Sequence, residues 1–193
     1  MVEDQAILDA AMSVFARLGY DGATTKSIAS AAGINEVTLF RKFRSKENIL
    51  QAVITYNRDK ALNTLDSIFF HREQETDLYQ SLLRLSNKLL EFMNERADLM
   101  ILLLAEGTRK PMVAKIISSI PKEMIKRLSK FFNDKIKQGS MRRTNPHLAA
   151  TSFLGFLFYS AIISRVLEVE KAVHTFVEIF VRGISMNNTG KEK

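Results

Sequence analysis

The stretch "GATTKSIASAAGINEVTLFRKFRSKENIL", residues 22–50, decides how the first part of this chain folds. It contains two short helical patterns separated by Gly33, and we predict Thr25 and Asn35 as their N-caps. Glycine suits the turn between them because it adopts backbone conformations that other residues avoid. Ser45 is predicted to cap a third helix. The spacing therefore predicts two short helices joined by a tight turn, with a longer helix after them.

The second short helix, "EVTLFRKF", has two different faces. Leu39 and Phe43 point to one side, and the other side carries Val37, Thr38, Arg41 and Lys42. Residues 38–46 include four basic residues and no acidic one, and Lys46 lies at the positive end of the next helix. This arrangement is typical of a helix-turn-helix, whose second helix enters the DNA major groove. The alternative is a helical hairpin with a solvated charged face, but the caps, the glycine and the uncompensated charge together favour DNA binding.

Residues 15–50, "FARLGYDGATTKSIASAAGINEVTLFRKFRSKENIL", resemble the DNA-binding domain of TetR-family transcriptional repressors. The resemblance rests on Gly19-Tyr20, Thr24-Thr25, Ile28-Ala29, Ala32-Gly33, Thr38-Leu39-Phe40, Phe43 and Ser45-Lys46-Glu47. It implies that Thr25 and Lys46 contact phosphates, and that Glu36, Val37, Thr38 and Lys42 face base edges. The full set of expected DNA contacts is Thr25, Lys26, Asn35, Glu36, Val37, Thr38, Phe40, Arg41, Lys42 and Lys46.

Three positions depart from the usual pattern of the family. Phe40 stands where a tyrosine is common, which removes a possible phosphate hydrogen bond and is expected to keep the ring packing. Asn35 replaces a common serine and can cap a helix equally well. Val37 replaces a frequently small residue and could contact a thymine methyl group.

The rest of the chain is predicted to be helical, giving an all-α fold. We expect an N-terminal three-helix helix-turn-helix domain over residues 1–48, a helical effector-binding and dimerisation domain over 49–187, and a tail over 188–193. The first helix should bury Ile7, Leu8, Ala11, Phe15 and Leu18 and end at Gly19. Later helices are predicted from 45 to about 69, 78 to 97, 111 to 138 with a break at Pro121, 146 to about 167, and 170 to 185. Asp98 is predicted to cap the apolar segment that follows it.

The net charge of +7 does not by itself identify a nucleic-acid surface. Residues 1–50 hold six basic and six acidic residues, so the surplus lies in residues 51–193. Residues 109–143 alone hold eleven basic and two acidic residues, which we interpret as a solvated helix face. The alternative is an anionic ligand, such as an acyl-coenzyme A, whose phosphates lie along Lys115, Lys122 or Arg127.

Methionine and aromatic residues in the second domain are candidates for an effector pocket. Such residues at helical spacing are more often plain core than pocket, but together they favour a lipophilic ligand. Glu106 and Arg109 could orient a polar group of that ligand, although a surface ion pair is the simpler interpretation. The candidate lining residues are Phe92, Met93, Met100, Leu103, Met112, Ile116, Phe156 and Tyr159.

The last two predicted helices carry apolar residues around most of their circumference. Such helices cannot leave a broad face in water, so a four-helix interface between two copies is expected. The alternative is that both helices are central in their own fold. The candidate interface residues are Phe153, Phe156, Ile163, Phe176 and Phe180.

These observations predict a DNA-binding transcriptional regulator: a cytoplasmic homodimeric repressor, released from a palindromic operator by a small lipophilic effector. Repression is expected, and the rarer activation is the alternative. No metal, cofactor or membrane partner is expected, because the chain lacks cysteine and its longest uncharged stretch is short and polar. An enzyme is disfavoured because the three histidines, His71, His147 and His174, have no catalytic or metal-binding spacing. A lipid- or drug-binding carrier without operator binding is the remaining alternative.

Overall fold

A computed structural model describes residues 4–70, 77–107, 113–114, 118–164 and 169–185. Within these ranges the chain forms helices and turns and no strand, which confirms the all-α prediction. No helix of the described ranges has both the length and the apolar character needed to cross a membrane. The helices are α1 (Asp4–Gly22), α2 (Thr25–Ala31), α3 (Glu36–Phe43), α4 (Lys46–Phe70), α5 (Leu78–Asn94), α6 (Ala97–Gly107), α7 (Ser119–Lys137), α8 (Pro146–Phe158), a π-helical turn (Tyr159–Ser164) and α9 (Val169–Ile184).

The chain packs as two compact units. One lies within residues 1–63 and 98–120, and the other within 64–97 and 121–193. Helix α4 supplies residues to both units, because the division falls between Asn63 and Thr64. This packing division differs from the boundary expected at residue 48. That boundary separates a DNA-binding from an effector-binding domain, and it stays a prediction.

The core of the first unit joins α1, α2, α3 and the start of α4. Phe15, Ile28 and Leu39 are fully buried in it, and Leu102 of α6 belongs to the same cluster. The prediction that Leu18 is buried is wrong, since 43% of this residue is exposed. The reason is the break predicted at Gly19, whose φ of 69° and ψ of 173° interrupt α1 beside Leu18.

The predicted cap of α2 is displaced by one residue. Thr24, not Thr25, is the N-cap: its Oγ1 accepts a hydrogen bond from the Ser27 backbone N–H at 3.0 Å. The Ser27 Oγ accepts in return from the Thr24 N–H at 3.0 Å, which completes a capping box. Thr25 could not form this pair, because its third following residue is Ile28. The caps predicted at Asn35 and Ser45 are confirmed by bonds from Val37 N–H and Asn48 N–H.

The helix predicted over residues 78–97 is three residues shorter at its C-terminal end in the structure. Helix α5 ends at Asn94, a turn covers residues 95–96, and α6 begins at Ala97. Asp98 therefore lies in the first turn of α6 and does not precede it as a cap. Its carboxylate still lies at the end of the helix where negative charge is favourable.

The core of the second unit is aromatic. Helix α5 contributes one buried apolar face, formed by Leu82, Leu85, Leu89 and Phe92. Phe132 of α7 and Phe153 of α8 are fully buried, and their ring centroids lie 6.0 Å apart. Phe180 of α9 packs against both rings, at 5.8 and 5.2 Å.

Two further predictions about helix limits are partly confirmed. Helix α7 begins at Ser119, so Pro121 lies in its first turn, where a proline is tolerated. The predicted start of that segment at Pro111 lies outside the described residues. The predicted start at Pro146 is confirmed, with Asn145 as the N-cap, but α8 changes to a π-helical turn at Tyr159.

Candidate nucleic-acid interface

Helix α3 is anchored to the first unit through one of its faces. Leu39 is fully buried and Phe43 packs, partly buried, against the same core as Phe15 and Ile28. The turn before α3 is tight because Gly33 has a φ of 65°, a conformation that glycine adopts readily. These contacts fix which side of α3 faces outward.

The outward side of α3 combines apolar and basic groups. Val37 is 73% exposed, Arg41 and Lys42 are exposed, and Thr38 is half-buried. Phe40 is 56% exposed, so the expectation that its ring stays packed is wrong. The ring lies one turn from Val37 along the helix, and its exposed part is available to a partner.

The Thr25 and Glu36 side chains bond to each other. The Thr25 hydroxyl donates to the Glu36 carboxylate oxygen Oε1 at 2.6 Å, which links the first residue of α2 to the first residue of α3. Both residues were expected to contact DNA, as a phosphate contact and a base contact. The bond places them together at the N-terminal end of α3.

Lys42 forms an ion pair within the first unit. Its ammonium group donates to the carboxylate of Asp4, at the start of α1. The Asp4 side chain is 69% exposed, so this pair is accessible to water and to competing anions. Asp4 was not among the predicted site residues, because nothing in the sequence indicated that α1 begins beside α3.

Lys46 points into its own unit. Its ammonium donates to the carbonyl oxygens of Tyr20 at 2.8 Å and Ala23 at 2.9 Å, and lies 4.4 Å from the centre of the Tyr20 ring. A third carbonyl, that of Asp21, lies at 3.5 Å. These are the carbonyl groups that the end of α1 exposes, so Lys46 acts as its cap in this structure. Contact with a phosphate would require the ammonium to exchange some of these bonds.

Three further residues complete the candidate interface. Lys26 of α2 is exposed, and the Asn35 amide oxygen is used as the cap of α3. Arg44 directly follows α3 with a φ of 67° and is exposed. The sequence interpretation omitted Arg44 from the contacts, although the basic run over residues 38–46 contains it. Neither Arg41 nor Arg44 has a side-chain partner among the described residues.

Two family models match the chain, and the first of them covers α2, α3 and the residues that pack beneath them. Residues 7–53 match the model for bacterial regulatory proteins of the tetR family. Residues 80–181 match the C-terminal domain of AefR-like transcriptional repressors, which covers more than half of the chain. The chain belongs to the TetR family. It is therefore a helix-turn-helix transcriptional regulator and not an enzyme, as predicted.

Some relatives of this TetR-family regulator match it over nearly its whole length. The HTH-type transcriptional regulator YvkB of Bacillus subtilis is 28% identical over 189 residues, covering 94% of this chain and 97% of YvkB. Among solved structures, a TetR-family transcriptional regulator from Mesorhizobium loti has a TM-score of 0.81 at 21% identity, covering 95% and 96%. FadR of Bacillus subtilis, solved with stearoyl-CoA, has a TM-score of 0.72 at 20% identity, covering 94% and 99%. Both structures share the fold.

The predicted effector residues of the regulator fall in both units. Phe92 and Met93 are buried in the second unit, where Phe156 is half-buried and Tyr159 is 57% exposed. Met100 and Leu103 belong to the first unit. Met112 and Ile116 lie outside the described residues. The pocket stays a prediction.

The charged candidates near that segment are only partly described. Glu106 is buried, and Arg109 and Lys115 lie outside the described residues. Arg127 donates to Glu123 at 2.9 Å and pairs with Asp66 at 2.7 Å, so its guanidinium already binds two carboxylates. The hydrogen bond from Arg127 lowers the pKa of the Glu123 carboxyl. Lys122 is exposed.

One predicted interface residue is misplaced. Phe153 is fully buried within the single chain, so it cannot contact a partner, and its prediction as an interface residue is wrong. The cause is that α7 and α9 cover it, through Phe132 and Phe180. Phe156 and Phe176 are half-buried and stack at 3.9 Å, while the side chain of Ile163 lies outside the described part.

Proposed function

We propose that the protein is a repressor that binds a palindromic operator as a homodimer and is released by a small lipophilic effector. The observation that carries this proposal is the exposed face of α3, where Val37, Phe40 and Arg41 project from a helix anchored by Leu39. A two-turn helix reads only a few base pairs, so two copies on two half-sites are needed for specific binding. We infer that it acts in the cytoplasm, on chromosomal DNA.

A gel-shift experiment tests operator binding. The probe is duplex DNA taken from beside the protein's own gene, with a shuffled duplex of equal length as competitor. Arg41→Ala should weaken binding, by about 1–3 kcal/mol if the guanidinium contacts a base. Lys137→Ala, at the end of α7, is the matched control and should bind normally. Equal binding of operator and shuffled duplex would refute the proposal and favour a carrier without operator binding.

Exposed apolar residues support the dimer. Leu148 of α8, Tyr159 of the π-helical turn and Ile179 of α9 are each more than half exposed in the single chain. Gly155 and Gly183 are exposed on the same two helices, with no atom near the position that a Cβ would occupy. Exposed apolar side chains and bare backbone are what a second helix pair could pack against.

Helix α4 is our candidate for carrying the effector signal. At its first residue, Lys46 bonds to the carbonyls at the end of α1. In its last turns, Thr64 accepts from Arg96 at 3.2 Å, and Asp66 pairs with Arg127 at 2.7 Å. An effector that moves the second-unit partners of α4 would thus act on a helix whose start contacts the DNA-binding helices.

A long-chain acyl-CoA is the first effector class to test. The support is the apolar character of the predicted lining, together with the stearoyl-CoA complex of a protein with the same fold. Thermal shift with stearoyl-CoA, stearate and free coenzyme A separates the acyl chain from the nucleotide. A ligand that raises the melting temperature should also release operator DNA in the gel-shift. Stabilisation without release would refute the coupling.

A further inference from the structure

We propose that Glu36 reads a cytosine in each operator half-site and that Thr25 holds the Glu36 carboxylate in the reading position. The proposal rests on the operator binding proposed above. It starts from the hydrogen bond at 2.6 Å between the Thr25 hydroxyl and Glu36 Oε1. Both side chains lie at the N-terminal end of α3, the part of a recognition helix that meets base edges.

The hydroxyl of Thr25 has a single proton. Because that proton is given to Glu36, the Thr25 side chain has no donor left for a phosphate oxygen. The contact implied by family resemblance and the contact in the structure therefore exclude each other while the bond persists. We assign Thr25 as a positioning residue for Glu36.

An ionised glutamate carboxylate accepts hydrogen bonds and has no proton to donate, so Glu36 needs a donor on the base edge. In the major groove the base-edge donors are the N4 amino group of cytosine and the N6 amino group of adenine. Adenine presents its N7 acceptor beside N6, which repels a second carboxylate oxygen, whereas an amide side chain can bond to both atoms. A glutamate at this position therefore selects cytosine.

Thr25 makes this selection sharper. A free glutamate side chain would turn away from the DNA phosphates and would lose rotamer freedom on binding. The bond from Thr25 fixes Oε1 and leaves Oε2 for the base. Since Glu36 is exposed and its only described side-chain partner is Thr25, no second protein donor competes with the base among the described residues.

The test is selection of binding sites from a random duplex DNA library by the full-length protein. Wild type, Glu36→Gln, Thr25→Val and Thr25→Ser are compared after circular dichroism and melting confirm that each is folded. Wild type should enrich a two-fold symmetric site that has a cytosine at one fixed position of each half-site. Glu36→Gln should enrich a site with adenine at that position. Measured on single duplexes, the exchange should change relative affinity at that position by about tenfold.

Thr25→Val should lose several-fold of the cytosine preference at that one position, and Thr25→Ser should keep it. In the double variant with Glu36→Gln and Thr25→Val, the valine should cause no further loss of the cytosine preference. If Thr25→Val instead weakens binding to all duplexes alike and leaves the cytosine preference unchanged, Thr25 is a phosphate contact and the proposal is overturned. If wild type and Glu36→Gln enrich the same site, the proposal is also overturned, but the proposed operator binding is not. No enriched site for wild type would overturn the proposed function as well.

Discussion

The Lys46 ammonium lies over the Tyr20 ring, 4.4 Å from its centre, and donates to the Tyr20 carbonyl oxygen at 2.8 Å. This contact ties the beginning of α4 to the end of α1. A charge-assisted bond to a carbonyl contributes more than a neutral one, and the ring adds a cation–π attraction. Lys46 therefore has a structural role before any DNA is present.

We predict that Lys46→Met destabilises the protein by about 2 kcal/mol, since the methionine keeps the apolar stem and loses the ammonium. Thermal unfolding should show a lower midpoint, by ~4–8 °C for a chain of this size. Lys26→Met is the control, because Lys26 is exposed on α2, and its midpoint should stay unchanged. An unchanged midpoint for Lys46→Met, with DNA affinity lowered alike for all sequences, would make Lys46 a phosphate contact only.

Lys42 forms an ion pair with Asp4 of the same chain, so the Asp4 carboxylate should compete with DNA for the Lys42 ammonium group. Asp4→Asn should release Lys42 and should strengthen DNA binding about two- to fivefold, because an exposed pair contributes at most about 1 kcal/mol. Lys42→Ala should weaken specific binding by about 1–3 kcal/mol. Fluorescence anisotropy at several salt concentrations measures both effects.

The double variant decides whether Asp4 acts through Lys42. With Lys42→Ala in place, Asp4→Asn should give no further gain in affinity beyond the general effect of removing one negative charge. Asp9→Asn, on the exposed side of the same helix, measures that general effect. Equal gains from Asp4→Asn and Asp9→Asn would contradict the specific role of the pair.

Arg127 gives the second unit a predictable response to acid. Its hydrogen bond lowers the pKa of the Glu123 carboxyl below the ordinary value of 4.5, so folding favours the ionised form. The stabilisation is complete above pH 4.5 and is lost as the pH falls through the lowered pKa. Arg127→Met should cost about 1–2 kcal/mol near neutral pH, and this difference from wild type should shrink in acid.

Urea unfolding at a series of pH values checks this dependence. Lys126→Met is the control, because Lys126 lies 3.5 Å from the same carboxylate but is 78% exposed. Its effect should be small at every pH. A cost for Arg127→Met that stays constant through the acid range would show that the arginine acts by packing and not through Glu123.

The sequence predicted the fold well where local signals agree. The caps at Asn35, Ser45 and Asn145 were predictable because a capping side chain, a glycine or proline and an apolar period coincide. The misplaced cap of α2 could have been found from Ser27, which reciprocates only Thr24. Each of these features depends on residues within one or two turns of each other.

The internal partners of the candidate site could not be predicted in this way. Asp4 and Lys42 are 38 residues apart, and Thr25 and Glu36 are 11 apart, so their meeting depends on how the helices pack. The burial of Phe153 has the same origin, since an apolar helix gives no sign of which side its own domain covers. Tertiary packing decides these pairings, and helical periodicity does not encode it.

Ile179 provides the sharpest test of the proposed dimer. It is 65% exposed on α9 in the single chain, and Leu148 and Tyr159 of the same unit are exposed to a similar degree. Ile179→Glu should leave the monomer folded, because the side chain is not part of its core, and should weaken association by burying a charge at the interface. Light scattering at micromolar concentration should give a dimer mass for wild type and a monomer mass for the variant.

Ile101→Glu is the matched control, since Ile101 is 42% exposed on α6 and undergoes the same change of charge. It should remain dimeric. Ile179→Glu should also lose operator affinity by more than the loss of one contact explains, because each recognition helix then binds a half-site alone. Joining two Ile179→Glu chains covalently by a peptide linker should recover much of that operator affinity. A wild type that scatters as a monomer both with and without operator DNA would remove the dimer, and the palindromic operator with it.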